Sequence, residues 1–135
     1  MLSKTDILSM HDQDYMNETQ VNYFKNLLNN KKSKTIQTLK ELKQEFINKD
    51  FLTDINDMGT AQELQQQNLI TVNIKNKELQ ETLYALNLIE SDEYGYCQQS
   101  GNEIGIKRLL ANPTATLTVE AKSRQEFMLR TRGVV

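Results

Sequence analysis

Between Tyr15 and Phe51 the chain carries neither glycine nor proline, and its residues are largely Leu, Lys, Gln, Glu and Asn. Such a run lacks the common helix breakers and is rich in side chains that lose little rotamer freedom in a helix, so it predicts one long helix. Its apolar residues, Tyr23, Phe24, Leu27 and Leu28, then Ile36, Leu39, Leu42 and Phe46, mark a narrow stripe. A second stretch, Thr60 to about Ser91, sets Leu69, Val72, Asn76, Leu79, Leu83 and Leu86 at spacings of three, four, three, four and three. This is a heptad seam with one polar position able to fix register. Each helix exposes a stripe it cannot bury alone, and the connector TDINDMG at 53–59 is short, so the two turn back on each other. The expectation for 15–91 is an antiparallel coiled-coil hairpin with its tip at 53–59, on the order of 45 Å long at about 1.5 Å per helical residue.

Beyond Ser91 the pattern changes. Gly95, Gly101 and Gly105 fall close together, and the only proline, Pro113, follows. Residues 92–135 read as a small globular piece, with a short helix over Ile104, Ile106, Leu109 and Leu110 that stops before Asn112-Pro113. A terminal helix is expected from Thr114 to about Arg132, capped by Thr114 or Thr116 and packed through Leu117, Ala121, Phe127 and Met128. Residues 1–14 form a polar leader expected to pack near this globular end, because the hairpin tip is too far away to receive them.

The 135 residues suit one domain with an extension rather than two independent cores. A single cysteine, Cys97, excludes an internal disulfide and leaves too few thiolates for a structural zinc site, with His11 far off in the polar leader and assigned no role. A reducing cytoplasmic setting is the expectation. No apolar run approaches the roughly 20 residues of a membrane span, and the start MLSKTDILSMHDQD is too polar for a signal peptide. The net charge of −2 divides into −6 over residues 1–103 and +4 over 104–135. An acidic chain of this kind does not offer the concentrated basic surface that duplex DNA requires, though its basic tail suits an acidic protein or a nucleotide.

Candidate chemistry is sparse. Asp54 and Asp57 sit three apart at the expected tip, where aspartate is favoured as a turn former and N-cap. The other reading is that a long arm delivers two carboxylates into a deep cavity of a partner. Lys31, Lys32, Lys34, Lys40 and Lys43 read as a solvated helix face, and Cys97 as a small packed group in a turn. With one histidine, no phosphate-cradling glycine loop and no EF-hand spacing, the inventory points away from an enzyme.

Tyr94-Gly95-Tyr96-Cys97, then Gly101-x-Glu103-Ile104-Gly105-Ile106-Lys107-Arg108-Leu109, then Pro113-Thr114-Ala115-x-Leu117 resembles the globular domain of the DksA/TraR family. The opening DYMNETQVNYFKNLL, the two tip aspartates and the returning helix extend this resemblance from about Asp14 to Arg132. It implies a mainly α protein: a long antiparallel coiled-coil hairpin on a small zinc-finger-like domain, plus a C-terminal helix. It also implies a cytoplasmic, monomeric regulator of the stringent-response type. Such a regulator binds bacterial RNA polymerase, core or holoenzyme, rather than promoter DNA, and inserts its tip through the secondary channel. The alternative is a coiled-coil adaptor that kept the fold but not the target.

Three departures from the family pattern bear on function. The two Cys-x-x-Cys pairs appear as Cys97 with Ser100 and Thr118 with Ala121, which resembles the zinc-independent variants. Tyr94, Cys97, Ile104, Ile106, Leu109, Leu117 and Val119 are then expected to form an apolar core in place of the metal. The tip motif Asp-x-x-Asp-x-Ala reads Asp54 to Gly59, with glycine for alanine. Of the basic positions associated with guanosine tetraphosphate, Lys122 and Arg108, beside Lys107, remain, while Asn112 and Glu81 stand where Arg and Lys are expected. The nucleotide response is therefore expected to be weakened, and no other cofactor is implied.

Overall fold

The computed structural model describes residues 3–8, 15–53 and 58–131. Five helices follow in order: α1 (Lys4–Leu8), α2 (Glu18–Thr53), α3 (Met58–Glu90), α4 (Ile106–Ala111) and α5 (Val119–Thr131). The long helices α2 and α3 make the expected helical hairpin, and the chain divides into two compact units, residues 1–28 with 84–135, and residues 29–83. Asp54 and Asp57 lie outside the described residues, whereas Gly59 falls in the first turn of α3.

The first unit holds the main core. Phe24 and Leu28 from α2 and Ala85, Leu88 and Ile89 from α3 cluster with Ile7, Tyr94, Cys97, Ile104, Leu109, Ala115 and Ala121. Full burial of each large apolar member contributes about 1.5–3 kcal/mol relative to exposure. Helix α1 is short but well started. The Ser3 Oγ accepts from the Asp6 amide (3.2 Å) and the Asp6 carboxylate accepts from the Ser3 amide (3.1 Å), a capping box that holds the Asp6 pKa below its usual value. The helix packs on α4 and puts Ile7 into the core.

Helix α2 starts by the same logic. The Asn17 Oδ1 accepts from the Gln20 amide at 2.8 Å, and the Gln20 Oε1 accepts from the Met16 amide at 2.7 Å. These bonds give the oxygen of the buried Gln20 side chain a partner and satisfy two amides at the helix start. At the same end of the hairpin, α3 runs to Glu90 and is closed by Asp92. Its φ of 60° lets the Glu93 amide reach the Leu88 carbonyl at 2.9 Å, which is a Schellman-type closure.

The second unit is more polar inside. Along α2 the covered positions are Thr35 and Leu39, with Ile36 and Leu42 half-covered; the Phe46 side chain is not described. Along α3 the expected seam is half wrong. Val72, Leu79 and Leu86 do face inward, but Leu69 is 57% and Leu83 39% exposed, and Asn76 is exposed. The inward positions are instead Asn68, Lys75 and the fully buried Thr82, one residue earlier in each heptad. Thr35 and Thr82 tolerate burial because each hydroxyl donates to a carbonyl of its own helix, Lys31 and Glu78 respectively, at 2.8 Å.

Two further expectations are corrected. The last helix begins at Val119, not Thr114, because Thr118 rather than Thr114 or Thr116 caps it, accepting from the Ala121 amide at 3.2 Å. Val119, Phe127 and Met128 do not pack; they are 56%, 62% and 49% exposed.

Gly95 and Gly101 offer a matched test of the turn chemistry. Both have positive φ, 93° and 74°, but an added Cβ at Gly95 would lie 2.8 Å from the Met16 side chain and 3.1 Å from the Tyr15 hydroxyl, whereas at Gly101 it meets open space. Gly101→Ala should therefore cost only the backbone penalty, about 1–2 kcal/mol. Gly95→Ala adds a clash and should cost about 2–4 kcal/mol in all, measured by urea unfolding. Equal losses at the two positions would show that Tyr15 and Met16 do not constrain the turn.

Candidate functional site

The turn from Tyr94 to Gly105 is closed by backbone bonds. The Cys97 amide donates to the Asn102 carbonyl (2.7 Å), the Gly101 amide to the Cys97 carbonyl (2.8 Å), and the Ile104 amide to the Gly95 carbonyl (2.9 Å). Tyr96 and Glu103 pair as an isolated antiparallel bridge, and the Gln98 amide ties the turn to the Thr116 carbonyl at 2.9 Å. Around this frame Tyr94, 3% exposed, donates its hydroxyl to the Pro113 carbonyl at 2.7 Å; burial keeps that phenol protonated well above its usual range.

Tyr15 joins the start of α2 to the turn. Its hydroxyl donates to the Gly95 carbonyl at 2.5 Å and accepts from the Gly105 amide at 3.0 Å, while its ring meets Tyr96 edge-on with centroids 5.7 Å apart. Burial raises the Tyr15 pKa, against the Gly105 amide, which lowers it. Sequence reasoning misses this residue because no period or spacing marks it; its only signal is a tyrosine next to a helix start.

The four positions of the degenerate knuckle do converge. Cys97 and Thr118 are buried, with the Thr118 hydroxyl 3.8 Å from the Cys97 sulfur, and Ala121 is fully buried beside the helix cap that Thr118 makes. As a donor set this is one thiol, two neutral hydroxyls and a methyl. It does not fit a structural zinc, which needs four strong ligands such as thiolates or imidazoles. Among the described residues no three His, Cys, Asp or Glu side chains gather in a way that could hold a metal ion.

Hydrogen-bond donors occupy the role a cation would have. Burial pushes the Cys97 thiol up, but the Ser100 hydroxyl and the amides of Thr118, Ser100 and Gln99 favour its thiolate and bring it down to about 6. Cys97 also borders an open cavity of about 590 Å³ lined by Tyr84, Leu88, Asp92, Glu93, Tyr96 and Gln98. The expectation of a small packed group holds for its burial and omits its charge.

The remaining candidates separate. Lys107 and Lys122 are exposed, but Arg108 is half-buried and spends its Nε proton on the Leu117 carbonyl at 2.8 Å. Asn112 closes α4, its amide donating to the Arg108 carbonyl at 2.7 Å and its side chain accepting from the Thr114 hydroxyl at 2.9 Å. Glu81 belongs to the other unit and is exposed. No described helix is long and apolar enough to cross a membrane.

Known proteins resemble this arrangement. Residues 92–127 match the family described as prokaryotic dksA/traR C4-type zinc finger. The chain is 34% identical over 130 residues, 93% of its length and 89% of the relative's, to the RNA polymerase-binding transcription factor DksA of Caulobacter vibrioides. It is 30% identical to the factor of that name from Escherichia coli K12, over 85% of this chain and 77% of that one. Among solved structures, transcription factor DksA2 from Pseudomonas aeruginosa superposes with a TM-score of 0.88 at 32% identity, covering 95% of this chain and 99% of that chain.

The depressed thiol makes stability depend on pH with a definite sign. Between about pH 6 and the ordinary thiol value of 9.0, the folded chain holds a thiolate while the unfolded chain still binds the proton. Stability from this group is thus present above 9.0 and is lost as pH falls through about 6. Cys97→Ser should remain folded but lack this increment. Melting temperatures of parent and variant from pH 5.5 to 9 check it, and parallel curves would show that the thiol does not ionise in this window. The purified chain should also hold no stoichiometric zinc and melt unchanged in strong chelator; one tightly held zinc per chain would contradict the donor set.

Proposed function

Because the chain belongs to the DksA/TraR family of RNA polymerase-binding transcription factors, we propose that it binds bacterial RNA polymerase and regulates initiation by inserting its hairpin tip into the secondary channel. It is a transcription factor, not an enzyme. What supports the reading most is the likeness to a DksA-type fold over 95% of the chain, hairpin and knuckle together. Affinity would come from the globular end, residues 92–135, and the hairpin sides, with the leader of residues 1–14 packed near that end. The tip at 53–59 would act near the catalytic centre. The factor would work as a cytoplasmic monomer without specific DNA contacts.

The tip chemistry follows from charge placement. In a water-poor channel beside Mg²⁺ and basic loops, the carboxylates of Asp54 and Asp57 act more strongly than in bulk solvent. Gly59 in the first turn of α3 loosens that turn by up to about 1 kcal/mol relative to alanine. Exposed Lys107 and Lys122 remain for polymerase or nucleotide contacts, while Arg108 is partly committed to the Leu117 carbonyl.

An adaptor that kept the fold without polymerase regulation is the second reading, favoured by Gly59, Glu81 and Asn112. Co-elution with purified core polymerase separates the two: binding supports the regulator, and no binding supports the adaptor.

Asp54→Asn and Asp57→Asn should each sharply reduce transcriptional inhibition in vitro. Polymerase affinity should persist and stability should stay within about 0.5 kcal/mol, because asparagine keeps the turn-forming and capping capacity of aspartate. Inhibition equal to the parent would make the carboxylates turn formers only, and loss of binding would make the tip a docking surface. Guanosine tetraphosphate should potentiate weakly or not at all, since Glu81 and Asn112 cannot supply charge-assisted bonds to phosphate. Potentiation as strong as in zinc-bearing relatives would overturn that assignment.

A further inference from the structure

The heptad seam legible in α3 and the seam that faces inward share Val72, Leu79 and Leu86 and differ at the other three positions. Inside the second unit the inward set is half-covered Asn68 and Lys75 with buried Thr82, and the set left outside is Leu69, Asn76 and Leu83. We propose that α3 has two packings against α2, related by a rotation of about 50° about its own axis, half of the roughly 100° step between helical residues. In one packing Asn68, Lys75 and Thr82 lie in the seam; in the other Leu69, Asn76 and Leu83 replace them.

Each packing is incomplete in a way the other repairs. In the observed one the Asn68 Nδ2 is buried without a hydrogen-bond partner, and Lys75 is half-covered, held by Glu78 at 3.2 Å. Two leucines stand outside, at 57% and 39% exposure. Rotation would bury both leucines and release the Asn68 amide and the Lys75 ammonium to water, at the cost of covering Asn76. Thr82 leaves the seam without losing its bond, because its hydroxyl partner is the Glu78 carbonyl of the same helix. Opposite faults offset each other and bring the two seams toward equal free energy, which is what a bistable packing requires.

The segment from Asn68 to Leu83 turns as one piece, and the change of winding is taken up in the helical turn that joins Leu83 to Ala85. Val72 and Leu79 stay inside in both states and act as the pivot. The rotation ends before Ala85, which is buried with Leu88 and Ile89 in the core of the first unit. Its effect is to exchange the flank of α3 offered to a partner, from apolar Leu69 and Leu83 to Asn68 and cationic Lys75. This inference rests on the hairpin alone and not on the proposed function.

The test forces the rotation with Thr82→Lys in the full chain, with Thr82→Gln as a milder second variant. A chain with two seams keeps its helical circular dichroism in at least one of these variants by turning position 82 outward. The relaxation enhancement of the Leu69 and Leu83 methyl groups by a neutral gadolinium chelate then falls at least twofold. Leu69→Gln with Leu83→Gln, harmless alone, then unfolds the hairpin of that variant. The proposal is overturned if both position-82 variants lose the hairpin, which would mean a single seam. It is also overturned if they stay helical with methyl enhancements unchanged, because the new side chain has then snorkelled out of the same seam.

Discussion

One phenol holds the first unit's three pieces together. The Tyr15 hydroxyl donates to the Gly95 carbonyl and accepts from the Gly105 amide, so the start of α2, the turn and the start of α4 share a single oxygen. Both partners belong to glycines with positive φ, 93° and 103°, whose amides and carbonyls point where a β-carbon-bearing backbone would rarely send them. The polar helices have little apolar surface of their own. Their base is fixed where Phe24 meets Tyr94, with ring centroids 5.7 Å apart, and this meeting depends on the turn being in place.

The backbone of the turn is closed by its own bonds and calls on no metal. Glycines set the reversals, amides close the ring, and Tyr94 reaches across to the Pro113 carbonyl. What a cation supplies in a four-thiolate knuckle is the link between its two halves, and here Thr118 supplies it. The hydroxyl meets the Cys97 sulfur on one side and caps α5 through the Ala121 amide on the other. A group of donors around one thiolate is weaker than four metal–sulfur bonds, so the apolar contacts of Ile104, Leu109 and Ala121 carry a larger share.

The hairpin is built differently from the core it grows out of. Thr35, Thr82 and Asn68 occupy inward positions that leucine would fill in a maximally stable coiled coil, and threonine is accommodated only because its hydroxyl folds back onto its own helix. An arm with a polar seam gives up stability and keeps a soluble surface, which suits a segment whose proposed work is done inside a partner rather than in its own interior.

The long helices were legible because they are one-dimensional features: no breakers from Tyr15 to Phe51 and apolar residues at helical spacing. So was the misfit of the knuckle to zinc, since Cys97, Ser100, Thr118 and Ala121 do not offer four strong ligands. Three things were decided by the tertiary structure. The α3 seam took Thr82 rather than Leu83, because its shared positions, Val72, Leu79 and Leu86, fit either neighbour and the choice depends on how α2 lies against them. The last helix started at Val119, because Thr118 was recruited by the Cys97 sulfur and can cap only a helix that starts at the next residue. Tyr15 became a keystone because folding brought it beside Gly95, 80 residues away in sequence, and no local pattern encodes a contact at that separation.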